Sequence, residues 1–480
     1  MILATRTMSV LTDDEMEQVW QAAWRVLARV PMRIQGTDEF MQALRDFGCD
    51  MDGERVSFPQ PVRDALQGRI EQSRAVNGPC RPADVSNDTI SYSASGQALV
   101  CCDLETETLR PATSEDLAQW SWICDSIPRL GRSHPTFIPQ DVPATTCDLH
   151  AFAINILNSK RPTTVSVYNA DMLPYFLELQ AICDGSIEQA RSAPAFVAKC
   201  WVNSPLMITR ENVEVGMAAR EMFSTPFNMM TMPVAGTATP VTIAGSLVQN
   251  LAETLMCNVI SLALDDRLIG SIAHPCPFDM KVGIHTQSGP DMDLLALAQR
   301  QMGAYAFGGE YRGFGGPGTA AKTPGEQALM EKSLSCMWAV CAGVRGWGSL
   351  GCLAFSDIGS ITQLMLDLEL MSYLERLVKG VTVDAERLAE EVICEVAPRG
   401  AYFLNHEHTA KHFREEFWLP ELVDRRVPMA WAEDPRTMLD NARAKARRVA
   451  AEARNQCPLT DEQKQQVLEI VAEADARYAR

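Results

Sequence analysis

Three histidines stand close together in "NHEHTAKHF", at positions 406, 408 and 412, with Glu407 between the first two. His408 and His412 are four residues apart, which on a helix puts both imidazoles on one face. Two such rings and a carboxylate could begin a zinc site, yet no further ligand is identifiable elsewhere in the chain. The plainer reading is structural or solvent-facing histidine, with His408 kept as a candidate substrate contact. A second cluster, "GIHTQSGPDMD" at 283–293, puts His285 and Gln287 in a loop before a helix that opens near Pro290. In a barrel of alternating strands and helices such loops carry the chemistry; an ordinary polar loop would read the same.

Aromatic residues form a third set. Trp201 and Trp347 fall at the ends of apolar runs, and Tyr311 lies in the loop after another. An indole face is the best side-chain partner for a quaternary ammonium, although each ring alone serves equally well as core. Asn203 lies two residues beyond Trp201 and is taken with it. The glycine-rich stretch 308–327 lacks the GK[ST] ending of a phosphate loop and reads better as a flexible loop over a site. Glu253, Asp367 and Glu369 lie inside apolar helical patterns. A buried acid has to be paired or functional, and structural pairing is the safer reading. No GxSxG elbow or Ser-His-Asp order is present.

The elements that position these residues follow from the apolar pattern. Short runs suited to buried strands occur at 135–140, 163–168, 195–202, 228–234, 267–273, 304–309, 344–350 and 393–398. Helical patterns lie between them, at 145–158, 170–183, 209–223, 240–264, 290–303, 325–342 and 359–379. Eight strands alternating with helices predict an α/β fold, a (β/α)8 TIM barrel with helical extensions at both ends, an open doubly wound sheet being the alternative. The expected division is an extension at 1–115, a barrel at 116–405 and a C-terminal extension at 406–480. Capping boxes are legible at Thr12–Glu15 and Thr460–Gln463.

One stretch poses a membrane question. The chain carries no charge from Met229 to Ala252. Pro233, Gly236 and Pro240 break its first half, and a spanning helix needs about 20 apolar residues without such breaks. It reads as a buried strand, a glycine turn and a helix that starts at Pro240 with Thr239 as its cap.

Composition narrows the class. Of the 480 residues 46% are hydrophobic and 22% charged, as in an ordinary globular protein. The net charge of −18 argues against nucleic acid and against an anionic membrane surface. The fifteen cysteines are dispersed with no CxxC pair, and no targeting segment is seen, so reduced thiols and a cytoplasmic location are expected.

The same apolar stretch then carries a resemblance. "PVAGTATPVTIAGSLVQNLAETL" is similar to a segment of the trimethylamine methyltransferase family, with matches at Gly236, Thr237, Pro240, Val241, Thr242, Ala244, Gly245, Asn250, Ala252 and Glu253. "NSPLMI", "DMKVGIHTQSGPDMD", "GTAAKTPGEQALMEKSL", "LMLDLELMSYLERLVKG" and "HTAKHFREEFWLPELVDR" agree in order along nearly the whole chain. The resemblance implies a (β/α)8 barrel that passes a methyl group from a methylated amine to Co(I) of a separate corrinoid protein. The chain itself would hold no tightly bound cofactor and no metal. Family members acting on trimethylamine carry pyrrolysine where this chain has Thr323. That departure points to the branch associated with quaternary amines such as glycine betaine. A sulfonium or tertiary amine donor, or binding without turnover, are the alternatives. The residues expected at the pocket are Trp201, Asn203, His285, Gln287, Tyr311, Trp347 and His408. Large barrels often dimerise, and a homo-oligomer is left open.

Overall fold

The computed structural model describes residues 8–83, 89–131, 133–163, 166–223, 225–273, 275–312, 316 and 318–479. The fold is α/β, with short strands separated by long helices. Gly346–Trp347 pairs in parallel with Ser91–Tyr92, and Ala98 bridges Phe137. Ser133 then bridges Pro162, and Ser166–Val167 pairs with Val197–Ala198. Cys200–Val202 pairs with Met229–Thr231, Thr231 bridges Ala273, and Val234–Ala235 pairs with the start of Cys276–Asp279. Every one of these pairings is parallel. From 91 to 276 each joins a strand to the next one in sequence through an intervening helix, the pattern of repeated βα units.

Counting Glu310–Tyr311, eight strand segments are each followed by a helix, from Ser114–Ser126 through to Ile361–Lys379. Glu310–Tyr311 takes Arg81–Pro82 as its parallel partner. Among the described residues no ladder joins it to its neighbours in sequence, so the hydrogen-bonded run is open at that point.

The units sit one step earlier along the chain than the apolar runs predict. The run at 393–398 is helical, within Glu390–Val396 and the turn after it, and Ile393 is exposed. A short apolar run cannot be told from a helical segment by periodicity, and the acidic pair Glu390–Glu391 suits a helix start. The run at 304–309 is likewise mostly the end of the helix Pro290–Phe307. The remaining unit comes from residues 91–98, whose strand is too short to carry an alternating pattern.

The uncharged stretch resolves as expected in kind but not in its cap. The helix spans Ile243–Asp265, with Thr242 as its cap accepting from the Gly245 amide at 3.3 Å. Thr239 instead shares a hydrogen bond with Ser246 at 2.5 Å. The helix is apolar on all sides because the N-terminal helices Asp13–Arg29, Asp38–Phe47 and Gln60–Asn77 pack onto it. It is the one described helix long and apolar enough to cross a membrane, and 78% of that apolar window is buried inside the protein.

Candidate active site

The loops that follow the sixth, seventh and eighth strands converge. His285 ends a short antiparallel hairpin, pairing with Phe278, and its ring centroid lies 5.8 Å from that of Phe355. Gln287, two residues on, lines a small cavity of about 40 Å³ together with Thr319, Ser349, Cys352, Phe355 and Ser356. Glycine at 318 is required by the close approach of two loops, because a Cβ there would lie 1.9 Å from the Gln287 carbonyl oxygen. No charged side chain lines the cavity among the described residues. Burial pushes the Cys352 thiol up to about 11, so it is protonated near neutrality and is no nucleophile there.

The wall made by residues 349–356 is strained. Ser349, Ala354, Phe355 and Ser356 all have positive φ, at 59°, 46°, 61° and 97°. Non-glycine residues in that region cost about 1–3 kcal/mol each and persist only when their surroundings over-determine them. Here the surroundings are on two sides. The Ala354 amide donates to Ala321 O at 2.8 Å and the Phe355 amide to Thr319 O at 3.0 Å. On the other side the Gly351 amide donates to Asp367 at 2.7 Å.

Two adjacent residues of the helix Glu326–Cys341 hold these supports. Glu331 accepts from Thr319 Oγ1 at 2.7 Å, the Ala320 amide at 2.6 Å and Gln327 at 2.9 Å. Burial alone would raise its pKa, but those hydrogen bonds hold the carboxyl below its ordinary value. Lys332 is fully buried and donates to Asp367 at 2.6 Å. Gln363 donates to the other Asp367 oxygen at 2.7 Å. Glu331→Ala is expected to cost about 2 kcal/mol, the penalty for leaving such donors unpaired. Amide exchange at Ala320 and Phe355 should rise in that variant, and unchanged protection at both would remove this role for Glu331.

The other residues expected at the pocket are not gathered with His285 and Gln287. Trp347 is buried on its strand, two residues before the strained loop. Trp201 is half-buried and its amide donates to Asn212 at 3.2 Å, while Asn203 is exposed and accepts from Asn212 at 3.1 Å. Tyr311 is buried and lines a separate cavity of about 790 Å³ with Ser91, Arg300 and Gly346, where helices hand over to strands. His408 sits on the helix Glu407–Glu416, its ring 4.5 Å from that of His412 and its Nε2 3.3 Å from Glu386 O. Among the described residues no three metal-ligating side chains come together. Thr323 is exposed and lines another cavity with Cys102, Glu107 and Arg443. Sequence reasoning missed Ser349 and Phe355, since positive φ at Ser or Phe leaves no mark in composition.

The trimethylamine methyltransferase family model matches residues 2–478. The chain is 23% identical over 427 residues to the trimethylamine methyltransferase MttB of Desulfitobacterium hafniense strain DCB-2, covering 88% of this chain and 84% of that protein. It is 24% identical over 442 residues to the trimethylamine methyltransferase MttB2 of Methanosarcina mazei, covering 88% and 87%. It is 23% identical over 453 residues to the glycine betaine methyltransferase of D. hafniense strain Y51, covering 92% of each. The chain belongs to the trimethylamine methyltransferase family.

Proposed function

We propose that the protein moves a methyl group from a quaternary amine, glycine betaine or a close analogue, to the Co(I) centre of a corrinoid carried by a partner protein. The observation that carries this reading is the lining of the loop cavity, uncharged among the described residues, with the Phe355 and His285 rings beside it. In the reaction Co(I) gives an electron pair to the methyl carbon and the C–N bond breaks. The nitrogen keeps the bonding pair and leaves as a neutral tertiary amine, and the cobalt becomes methyl-Co(III). The donor loses its charge on the way. A carboxylate against the ammonium would therefore stabilise the ground state more than the transition state. Aromatic faces and hydroxyls bind the cation without that penalty.

A free tertiary amine is a poor methyl donor unless it is first protonated or captured. Thr323 offers no capturing group, which favours a donor that is already cationic. The cavity of about 40 Å³ has room for water rather than a trimethylammonium group, so donor binding requires residues 318–319 and the loop 349–356 to part. We read the eight βα units as a (β/α)8 barrel, with residues 91–98 supplying one strand and Glu310–Tyr311 standing at the open point of the hydrogen-bonded run. Their loops fall at the face where barrel enzymes carry their chemistry.

The test is anaerobic. Purified protein and chemically reduced cobalamin are mixed with glycine betaine, other betaines, carnitine, choline, trimethylamine or a sulfonium. Conversion of Co(I) to methyl-Co(III) is followed in the visible spectrum. Conversion with a quaternary donor and none with trimethylamine is expected. Conversion with trimethylamine alone, or with no donor even after a corrinoid protein is added, would overturn the reading. Phe355→Leu, which removes the ring, is expected to raise KM for the donor about tenfold, the size of one cation–π contact. An unchanged KM would take Phe355 out of the donor site.

A further inference from the structure

We infer that the methyl donor carries a carboxylate and that the ammonium of Lys199 binds it. This rests on the methyl-transfer reading above and narrows its donor to one chemical class. Side chains alternate along a strand, and the alternation places Lys199. Ala198, Cys200 and Val202 pack into the apolar clusters formed with the helices. Lys199 and Trp201 therefore point to the opposite face, which in the barrel is the interior. Val167 belongs to one of those clusters, so its neighbours Ser166 and Tyr168 share the interior face. Ser166 pairs with Val197 and Val167 with Ala198, and the same register continued by one residue sets Tyr168 beside Lys199. In the next strand Met230 is the register partner of Trp201.

The same interior face leads to the loop cavity. Tyr92, Ala94 and Ala98 are buried in the helix-side core, which turns Ser93, Ser95 and Gln97 inward. Gln97 donates to the Tyr168 hydroxyl at 3.1 Å. Ser95 Oγ accepts from the Ser349 amide at 3.2 Å, and Ser349 lines the loop cavity. A chain of contacts thus runs from that cavity through Ser95, Gln97 and Tyr168 to the position of Lys199.

Lys199 is half-buried, yet among the described residues no hydrogen bond or ion pair engages its ammonium. Burial pulls its pKa below the ordinary lysine value, and no neighbouring charge offsets that. A desolvated cation without a counter-ion is destabilising, and a bound carboxylate relieves it. The reaction explains why a cation belongs here. The ammonium end of the donor loses its charge at the transition state, so a strong grip there would slow transfer. The carboxylate keeps its charge throughout, so a strong grip on it does not oppose the transition state and fixes the methyl group in place. Lys199 and Trp201 lie two residues apart on one face, about 7 Å along the strand. A short betaine bridges that span, with its carboxylate about 2.8 Å from an ammonium and its quaternary nitrogen within about 6 Å of an indole. Trp201 is nearer the C-terminal end of the strand, where the loops open, so the methyl groups face the mouth and the carboxylate lies deeper.

Calorimetric titration of the full chain tests this without turnover. The probes are glycine betaine, proline betaine and carnitine, each against choline, which has the cation but no carboxylate. At least one betaine is expected to bind more tightly than choline. Lys199→Met keeps the apolar stem and is expected to weaken that betaine about ten- to a hundredfold, the size of a hydrogen bond to a charged group, with choline unchanged. Lys199→Arg keeps the charge and is expected to retain part of the preference. A betaine bound equally by the parent and Lys199→Met overturns the inference and leaves methyl transfer standing. So does choline bound as tightly as every betaine, or no binding of any betaine. Equal loss of betaine and choline binding in both variants assigns Lys199 a structural role and also overturns it. Betaine binding that depends on Lys199, with no conversion in the Co(I) assay, supports carboxylate recognition and retires the methyl-transfer reading instead.

Discussion

Lys332→Met lowers the unfolding free energy by about 3–5 kcal/mol, the cost of leaving a buried charge without its counter-ion. The cause is local. Asp367 is buried and accepts from Lys332, Gly351 and Gln363, and the substitution removes the only cation among them. The Gly351 amide is one of the bonds that hold the loop 349–356 in its positive-φ conformation. Donor turnover is therefore expected to fall further than stability does, at temperatures where circular dichroism is unchanged. Asp367→Asn in the Lys332→Met background discriminates charge from shape. It removes the unpaired charge while one amide oxygen can still accept from Gly351. It is expected to recover most of the stability and part of the turnover. Equal loss in the single and double variants would show that charge is not the issue. The measurements are equilibrium unfolding in urea and the Co(I) assay on the same preparations.

How legible was this arrangement? The alternation of strands and helices was readable because the helices are long and carry their periodicity over several turns, as in Ile243–Asp265 and Ile361–Lys379. The frame was misplaced at both ends for one reason. Strands here are two to four residues long, so an apolar hexamer such as "ICEVAP" outweighs a true strand such as Ser91–Tyr92. His285 and Gln287 are legible together because they are polar residues in one loop between a strand and a helix. Trp201, Tyr311 and His408 were chosen by residue type, and type carries no information about which cavity a side chain reaches. The buried acids were read more successfully. Asp367 is ion-paired, and Glu369 is satisfied by backbone amides. Nothing in the sequence signals that Glu331 and Lys332, adjacent on one helix, support opposite sides of the same loop.

Glu253→Ala is expected to cost about 3 kcal/mol, from orphaned donors and a cavity together. The carboxylate is fully buried on the helix Ile243–Asp265 and accepts from Ser204 Oγ at 2.7 Å, the Leu206 amide at 3.0 Å and Gln249 at 3.2 Å. It thereby ties the loop after the fourth strand to the core helix, next to Asn203. Glu253→Gln keeps one acceptor and the side-chain volume, so its cost is expected to be about half as large. The pH dependence separates the two effects. Burial raises the Glu253 pKa above the ordinary glutamate value, although the hydrogen bonds from Ser204, Leu206, Gln249 and Thr231 oppose the shift. The folded protein thus holds the proton more tightly than the unfolded chain. Its contribution is greatest below the ordinary value and is lost as pH rises through the raised one. Glutamine is neutral throughout and has no such loss. The stability difference between the parent and Glu253→Gln should therefore shift against the parent as pH rises from about 4 to about 8. A difference that stays constant over that range would mean that Glu253 titrates alike in the folded and unfolded protein, and that its burial is fully offset by the four donors around it.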